Sequence, residues 1–285
     1  MTQTAVRRSR RAWGGPWAAG AVLLALAACG GAVRDPEALE ALPPDAIYAQ
    51  GEGALDQGQA DDAAFLFGEI ERLYPYSEWA KRGLIMAAFS YHRDRDYENT
   101  RASAQRYLDF YPAGEDAAYA AYLLALSYYD QIDEVGRDQG LTFQALQALR
   151  TVIEVYPDSE YAASAMQKFD LAFNQLAAKE MEVGRYYLAR GNFAAAANRF
   201  RVVVEDFQTT TQTPEALYRL VEAYLSLGLD AEAQTAGAIL GTNYAGTDWY
   251  RDAYALLTGR GLRPEAAGDN WLAAIYRQVI RGEWI

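Results

Sequence analysis

The 285-residue chain holds one histidine, His92, and one cysteine, Cys29, which leaves little nucleophilic or metal chemistry to arrange. Zinc sites draw on several Cys and His ligands, and a Ser-His or Cys-His relay needs a histidine beside its nucleophile. His92 follows Tyr91 at the close of a first-helix stretch, which suits a turn or packing role. The carboxylate pairs Asp61-Asp62 and Glu205-Asp206 offer in principle a two-acid site of the kind that hydrolyses glycosides. With 38 acids against 26 bases, such pairs read instead as solvated helix faces. No strand pattern occurs, so no glycine-rich phosphate loop follows a strand. The expectation is no catalytic residue, no metal and no cofactor.

Cys29 carries chemistry of another kind. Arg7, Arg8, Arg10 and Arg11 form a cationic start without acids, and an apolar run follows from Trp17 to Ala28. That run is short for a bilayer span, which needs about 20 apolar residues. It ends in Leu26-Ala27-Ala28-Cys29, which resembles a bacterial lipobox. The expected product begins at Cys29 after removal of 1–28, bearing a diacylglyceryl group and an N-acyl chain. Each buried methylene contributes about 0.8 kcal/mol, so several chains anchor stably. Gly30 stands where lipoproteins kept at the inner membrane often have Asp, so the expected address is the periplasmic face of the outer membrane. Loss of the four arginines takes the net charge from −12 to −16, which disfavours nucleic acid and anionic head groups.

The elements that must carry the rest are helices. Alanine- and tyrosine-rich segments with few β-branched runs point to an all-α chain. The stretch Glu180 to Phe207 sets the pattern, with Gly184, Tyr187, Gly191, Ala196, Phe200 and Val203 at tetratricopeptide offsets. Gly184 lets a second helix approach, Tyr187 and Phe200 fill the space between the two, and Gly191 can end the first helix at positive φ. Such a hairpin must stack on copies of itself. Earlier copies end in Tyr74-Pro75, Tyr111-Pro112 and Tyr156-Pro157, and a fifth carries Tyr224, Gly228, Ala233, Gly237 and Leu240. Ser77, Gly114 and Ser159, two residues after each proline, are candidate N-caps.

Pro75 and Pro112 are 37 residues apart, Pro112 and Pro157 are 45 apart. The excess falls in Asp130–Gly140, inside the third hairpin, and reads either as a functional loop or as a solvated acidic one. Residues 29–45 read as a lipidated tether, 46–165 as repeats one to three, 166–241 as repeats four and five, and 242–285 as a helical extension. In that extension Trp249 to Leu257 suggests a closing helix. Trp271, Ile275 and Val279 share a face of another, more suited to capping the stack than to docking on a partner. The whole is expected to be a superhelical stack of about five hairpins. Tyr76, Trp79 and Tyr122 lie outside the core offsets, available to a groove or to packing between repeats.

The lipobox, the five hairpins, Tyr74-Pro75-Tyr76-Ser77 and the Tyr-Tyr-x-x-Arg-Gly run at 186–191 together resemble the BamD family. These are lipoproteins of the machine that assembles β-barrels in Gram-negative outer membranes. The likeness spans Cys29 to Leu240 and is most specific from Tyr186 to Asp206, around Asn198-Arg199. It implies a non-catalytic role, with repeats four and five binding the periplasmic POTRA domains of a BamA-like barrel subunit beside other Bam lipoproteins. It also implies that repeats one to three help recognise unfolded outer-membrane proteins, with Tyr76, Trp79 and Tyr122 as groove candidates. Arg199 matches an arginine that grips an acidic group on the last POTRA domain, a task suited to its planar fork. Two alternatives stay open: a repeat lipoprotein scaffold of cell division or peptidoglycan machinery, and a glycan hydrolase on a repeat scaffold.

Overall fold

A computed structural model of the chain describes residues 34–267 and 271–275. The leader and Cys29 therefore lie outside the described residues. Every regular element among those described is helical, as the composition implies. The chain divides into two compact units, one through Asp94 and one from Arg95.

In the first unit, α1 (Pro36–Glu40) leads into α2 (Pro44–Asp56), α3 (Ala60–Leu73) and α4 (Glu78–Arg93). α2 and α3 pack together across a tight turn at Gly58, which adopts φ +76. Ile47, Leu66, Phe67 and Ile70 are fully buried between them. A Cβ on Gly51 would lie 2.7 Å from the Phe67 ring, so only glycine lets α2 come this close. α3 stops at Tyr74-Pro75, since the proline disfavours helix at the residue before it. Ser77 then caps α4, its Oγ accepting from the Ala80 N–H at 3.1 Å.

The tether is shorter than expected. Arg34 pairs with both Asp61 and Asp62, and Leu39 of α1 is 2% exposed in the first core. The Tyr74 hydroxyl donates to the Leu42 carbonyl at 2.5 Å. Residues 34–45 are thus docked on the first hairpin. The acid pair that offered itself as chemistry holds a strap at the start of α3, where the helix dipole also favours anions.

The second unit runs α5 (Tyr97–Phe110), α6 (Ala117–Tyr129), α7 (Gly140–Val155), α8 (Ala162–Ala189), α9 (Phe193–Asp206), α10 (Thr213–Leu227), α11 (Asp230–Tyr244), α12 (Asp248–Thr258) and α13 (Trp271–Ile275). From α5 through α12 each helix packs on the next. α5 and α7 end before their prolines as expected. Gly114 and Ser159, however, cap nothing: Asp116 and Tyr161 precede α6 and α8. Glycine has no side-chain acceptor. Its bareness serves elsewhere, because a Cβ on Gly114 would meet the Tyr107 Oη at 2.7 Å.

The division expected between 165 and 166 falls inside α8, which runs 28 residues without interruption. No glycine or proline occurs between Ala162 and Gly184 to break it. The insertion does lie between α6 and α7, and it folds back onto α8. Gln175 donates to the Asp133 carbonyl, and Lys179 Nζ donates to the Gly136 carbonyl at 2.8 Å.

The fourth hairpin, α8 with α9, has the geometry its sequence implies. Gly191 takes φ +73 at the turn, and Phe200 is fully buried. A Cβ on Gly184 would stand 2.4 Å from the Phe200 Cε1. Beyond α11, α12 packs on α10 and α11 as the closing helix. Leu272 of α13 is fully buried, and the Trp271 indole N–H donates to the Tyr224 hydroxyl at 3.2 Å. The Arg201 guanidinium lies 4.5 Å from the centre of the Trp271 ring. The described part of the extension thus packs as a cap; the side chains of Ile275 and Val279 lie outside the described residues. Gly184→Ala is expected to cost about 1–3 kcal/mol through overpacking against Phe200, read as a lowered midpoint in urea unfolding. An unchanged midpoint would show that the close approach is not needed.

Candidate partner-binding surfaces

Arg199 sits on the exposed side of α9, and Phe200, the next residue, turns inward. Its Nη1 donates to Glu180 Oε2 of α8 at 3.0 Å, with the two side chains 46% and 23% exposed. An ion pair this open contributes only about 0–1 kcal/mol to stability. Its effect is orientation: one side of the guanidinium fork is held while the side chain remains half in solvent. Asn198 beside it is exposed as well.

A second charged run crosses the neighbouring helices. Glu215 of α10 accepts from Arg185 of α8 at 3.1 Å and from Arg219 at 3.3 Å. Arg219 also donates to Glu222 at 2.6 Å and lies over the rings of Tyr218 and Trp249 at 5.1 and 5.6 Å. This network ties α8, α10 and α12 together. It consumes its own charges, so it reads as a clasp between hairpins.

The three groove candidates fare differently. Tyr76 is fully exposed on the turn before α4. Trp79 packs into the first core, its ring 5.0 Å from Tyr48, with the Arg82 guanidinium 5.3 Å from its centre. Tyr122, in the second unit, stacks on Tyr161 at 5.3 Å and shares a 2.7 Å hydrogen bond with Ser164. Tyr76 alone of the three presents a free ring; the other two join helices within their own units.

Among the described residues no group of His, Cys, Asp and Glu is placed to hold a metal ion. His92 occupies the last turn of α4, and Glu205 is bonded to Arg201 at 2.8 Å. What the helices present is surface for contact.

Two features escaped the sequence reading. One is the tyrosine stack in which Tyr161 lies against both Tyr119 and Tyr122. The other is an aromatic wall made by Phe169 and Phe173 of α8 with Phe207. The i, i+4 spacing of the two α8 residues is visible in the sequence, but not that Phe207, 34 residues on, packs against them.

These paired helices, with an arginine and aromatic rings at their surface, define a helical-repeat scaffold. Residues 40–239 match the YfiO family, described as an outer membrane lipoprotein. The chain belongs to that family. It is 46% identical over 247 residues to the outer membrane protein assembly factor BamD of Caulobacter vibrioides, covering 86% of this chain and 81% of that one. The protein of the same name from Rickettsia prowazekii is 40% identical over 75% of this chain and 86% of its own. That from Neisseria meningitidis serogroup A is 28% identical over 78% and 88%.

Burial pushes the Tyr119 phenol up to about 12, with neighbouring Tyr161 adding to the shift. Burial, then the charge of Asp116, does the same for Tyr107, also to about 12. A phenol whose folded pKa is raised keeps its proton while the unfolded chain loses it near pH 10. Its stabilising contribution is therefore complete below about pH 10 and is lost as pH rises toward 12. Replacing Tyr119 by Phe is expected to flatten the fall in thermal midpoint between pH 10 and 12, with ultraviolet phenolate titration losing a late-ionising group. An identical pH profile would contradict that assignment.

Proposed function

We propose that this protein is a non-catalytic outer-membrane assembly factor, anchored by lipid on Cys29 at the periplasmic face. In this reading it binds the POTRA domains of a barrel subunit and helps to recognise and insert unfolded outer-membrane β-barrel proteins beside other Bam lipoproteins. The family and the assembly-factor relatives support the general role. The observation that carries the finer reading is Arg199, half exposed and held at one side by Glu180. A carboxylate of a partner can take the free side of that fork with little further ordering of the side chain.

Tyr76 is the groove candidate best placed for a client, since its ring is unoccupied. Trp79 contributes by packing α4, the helix that follows Tyr76, against Tyr48 of α2, and Tyr122 is a separate candidate within the second unit.

The test is a detergent pull-down of tagged wild type and Arg199→Glu, with the recovered proteins identified by mass spectrometry. A POTRA-bearing barrel protein is expected with wild type and at least about tenfold less with the variant, whose circular dichroism stays helical. Recovery of division or peptidoglycan proteins, indifferent to Arg199, would overturn the reading in favour of a different envelope scaffold. Separately, Cys29→Ser is expected to move the protein from the membrane to the soluble periplasmic fraction. Membrane retention of that variant would refute lipid anchoring at this residue.

A further inference from the structure

Between α7, α8 and the end of α9 lies an open cleft of about 510 Å3, within the range of ligand pockets, about 300–1,000 Å3. Its wall is aromatic. Phe173 stacks on Phe169 with centroids 5.7 Å apart and meets Phe207 at 4.9 Å, while Phe143 of α7 stands on the rim, 61% exposed. Phe207 holds the place that Tyr74 and Tyr156 hold in earlier repeats. Those tyrosines use their hydroxyls to bind the carbonyls of Leu42 and Pro112. Phe207 has no hydroxyl and turns to the wall instead.

The charge at this cleft is as informative as its rings. Arg150 and Asp206 both line it; the Arg150 guanidinium is 5.6 Å from the Phe169 centroid, and no carboxylate of the described residues, Asp206 included, pairs with it. An arginine stacked on a ring keeps its in-plane donors free for an incoming anion. A ring entering beside it would gain edge and face contacts from the phenylalanines.

We propose that this cleft is a docking site for a segment of a partner protein that presents an aromatic side chain next to a carboxylate. The ring fills the space between Phe143 and Phe173, and the carboxylate takes the donors of Arg150. The site is separate from Arg199 and does not depend on what Arg199 binds.

The mature protein in lipid nanodiscs, which keep detergent out of the cleft, is titrated against a dye-labelled twelve-residue Gly-Ser peptide carrying Phe-Asp at its centre. Anisotropy is expected to saturate below about 1 mM, a modest affinity for so short a probe. Matching peptides with Phe-Asn or Ser-Asp are expected to bind about tenfold or more weakly, the loss typical of a charge-assisted hydrogen bond or a buried ring. Arg150→Gln should weaken the Phe-Asp peptide to the level of Phe-Asn and leave Phe-Asn unchanged. Phe143→Ser should weaken both. Both residues are exposed, so helicity should be intact in each variant. Absence of saturation, or equal binding of Phe-Asp and Phe-Asn to wild type, would overturn the proposal. So would a concentration-dependent dimer, seen by sedimentation and abolished by Phe143→Ser, which would give the cleft to a second copy of the chain.

Discussion

The structure depends on how closely two helices can approach where a glycine faces a phenylalanine ring. In the first hairpin Gly51 faces Phe67, and in the fourth Gly184 faces Phe200, with no room for a Cβ in either pair. Each contact lets a large ring come close to backbone and bury completely. Interiors packed to crystal-like density leave no slack to absorb an added methyl. A hairpin closed this way still has an apolar outer side, and within each unit the following helix packs against it, α4 on α3 and α10 on α9. The cap formed by α12, Leu272 and Trp271 meets the need at the end of the described residues.

Much of this was legible in advance. Tyr-Pro pairs marked the ends of α3, α5 and α7 because proline constrains the backbone before it, a local effect that needs no tertiary context. Gly184 and Phe200 were legible because repeat offsets are set by helical geometry. The caps were less so: Ser77 fulfilled its role, while Gly114 and Ser159 did not, because the residues after them add a further turn before the helix begins. The continuity of α8 was missed for a related reason. The repeats were divided between 165 and 166, but helices end only where something stops them.

The candidate surface was legible in part. Arg199 could be named from its context, but its tie to Glu180 joins residues 19 apart on different helices, which no local pattern reports. Trp79 and Tyr122 illustrate the converse difficulty. An aromatic outside the repeat offsets has two uses, and only its neighbours tell them apart; here Tyr48 and Tyr161 show both to be packing. The strap formed by Arg34 with Asp61 and Asp62 shows the same of charge: adjacent acids that look solvated can serve to fasten a chain.

At 1.5 Å rise per residue, the 28 residues of α8 make a single rod about 42 Å long. Its first half bears Phe169 and Phe173, and its middle receives the 130–139 loop through Gln175 and Lys179; Glu180, which holds Arg199, follows directly. Phe173 and Glu180 are thus about 10 Å apart along one stiff axis. In an ordinary repeat a turn would separate them and let each settle on its own. Here α8 acts as a beam, so a tilt imposed at one of these points is carried to the other without any hinge between them.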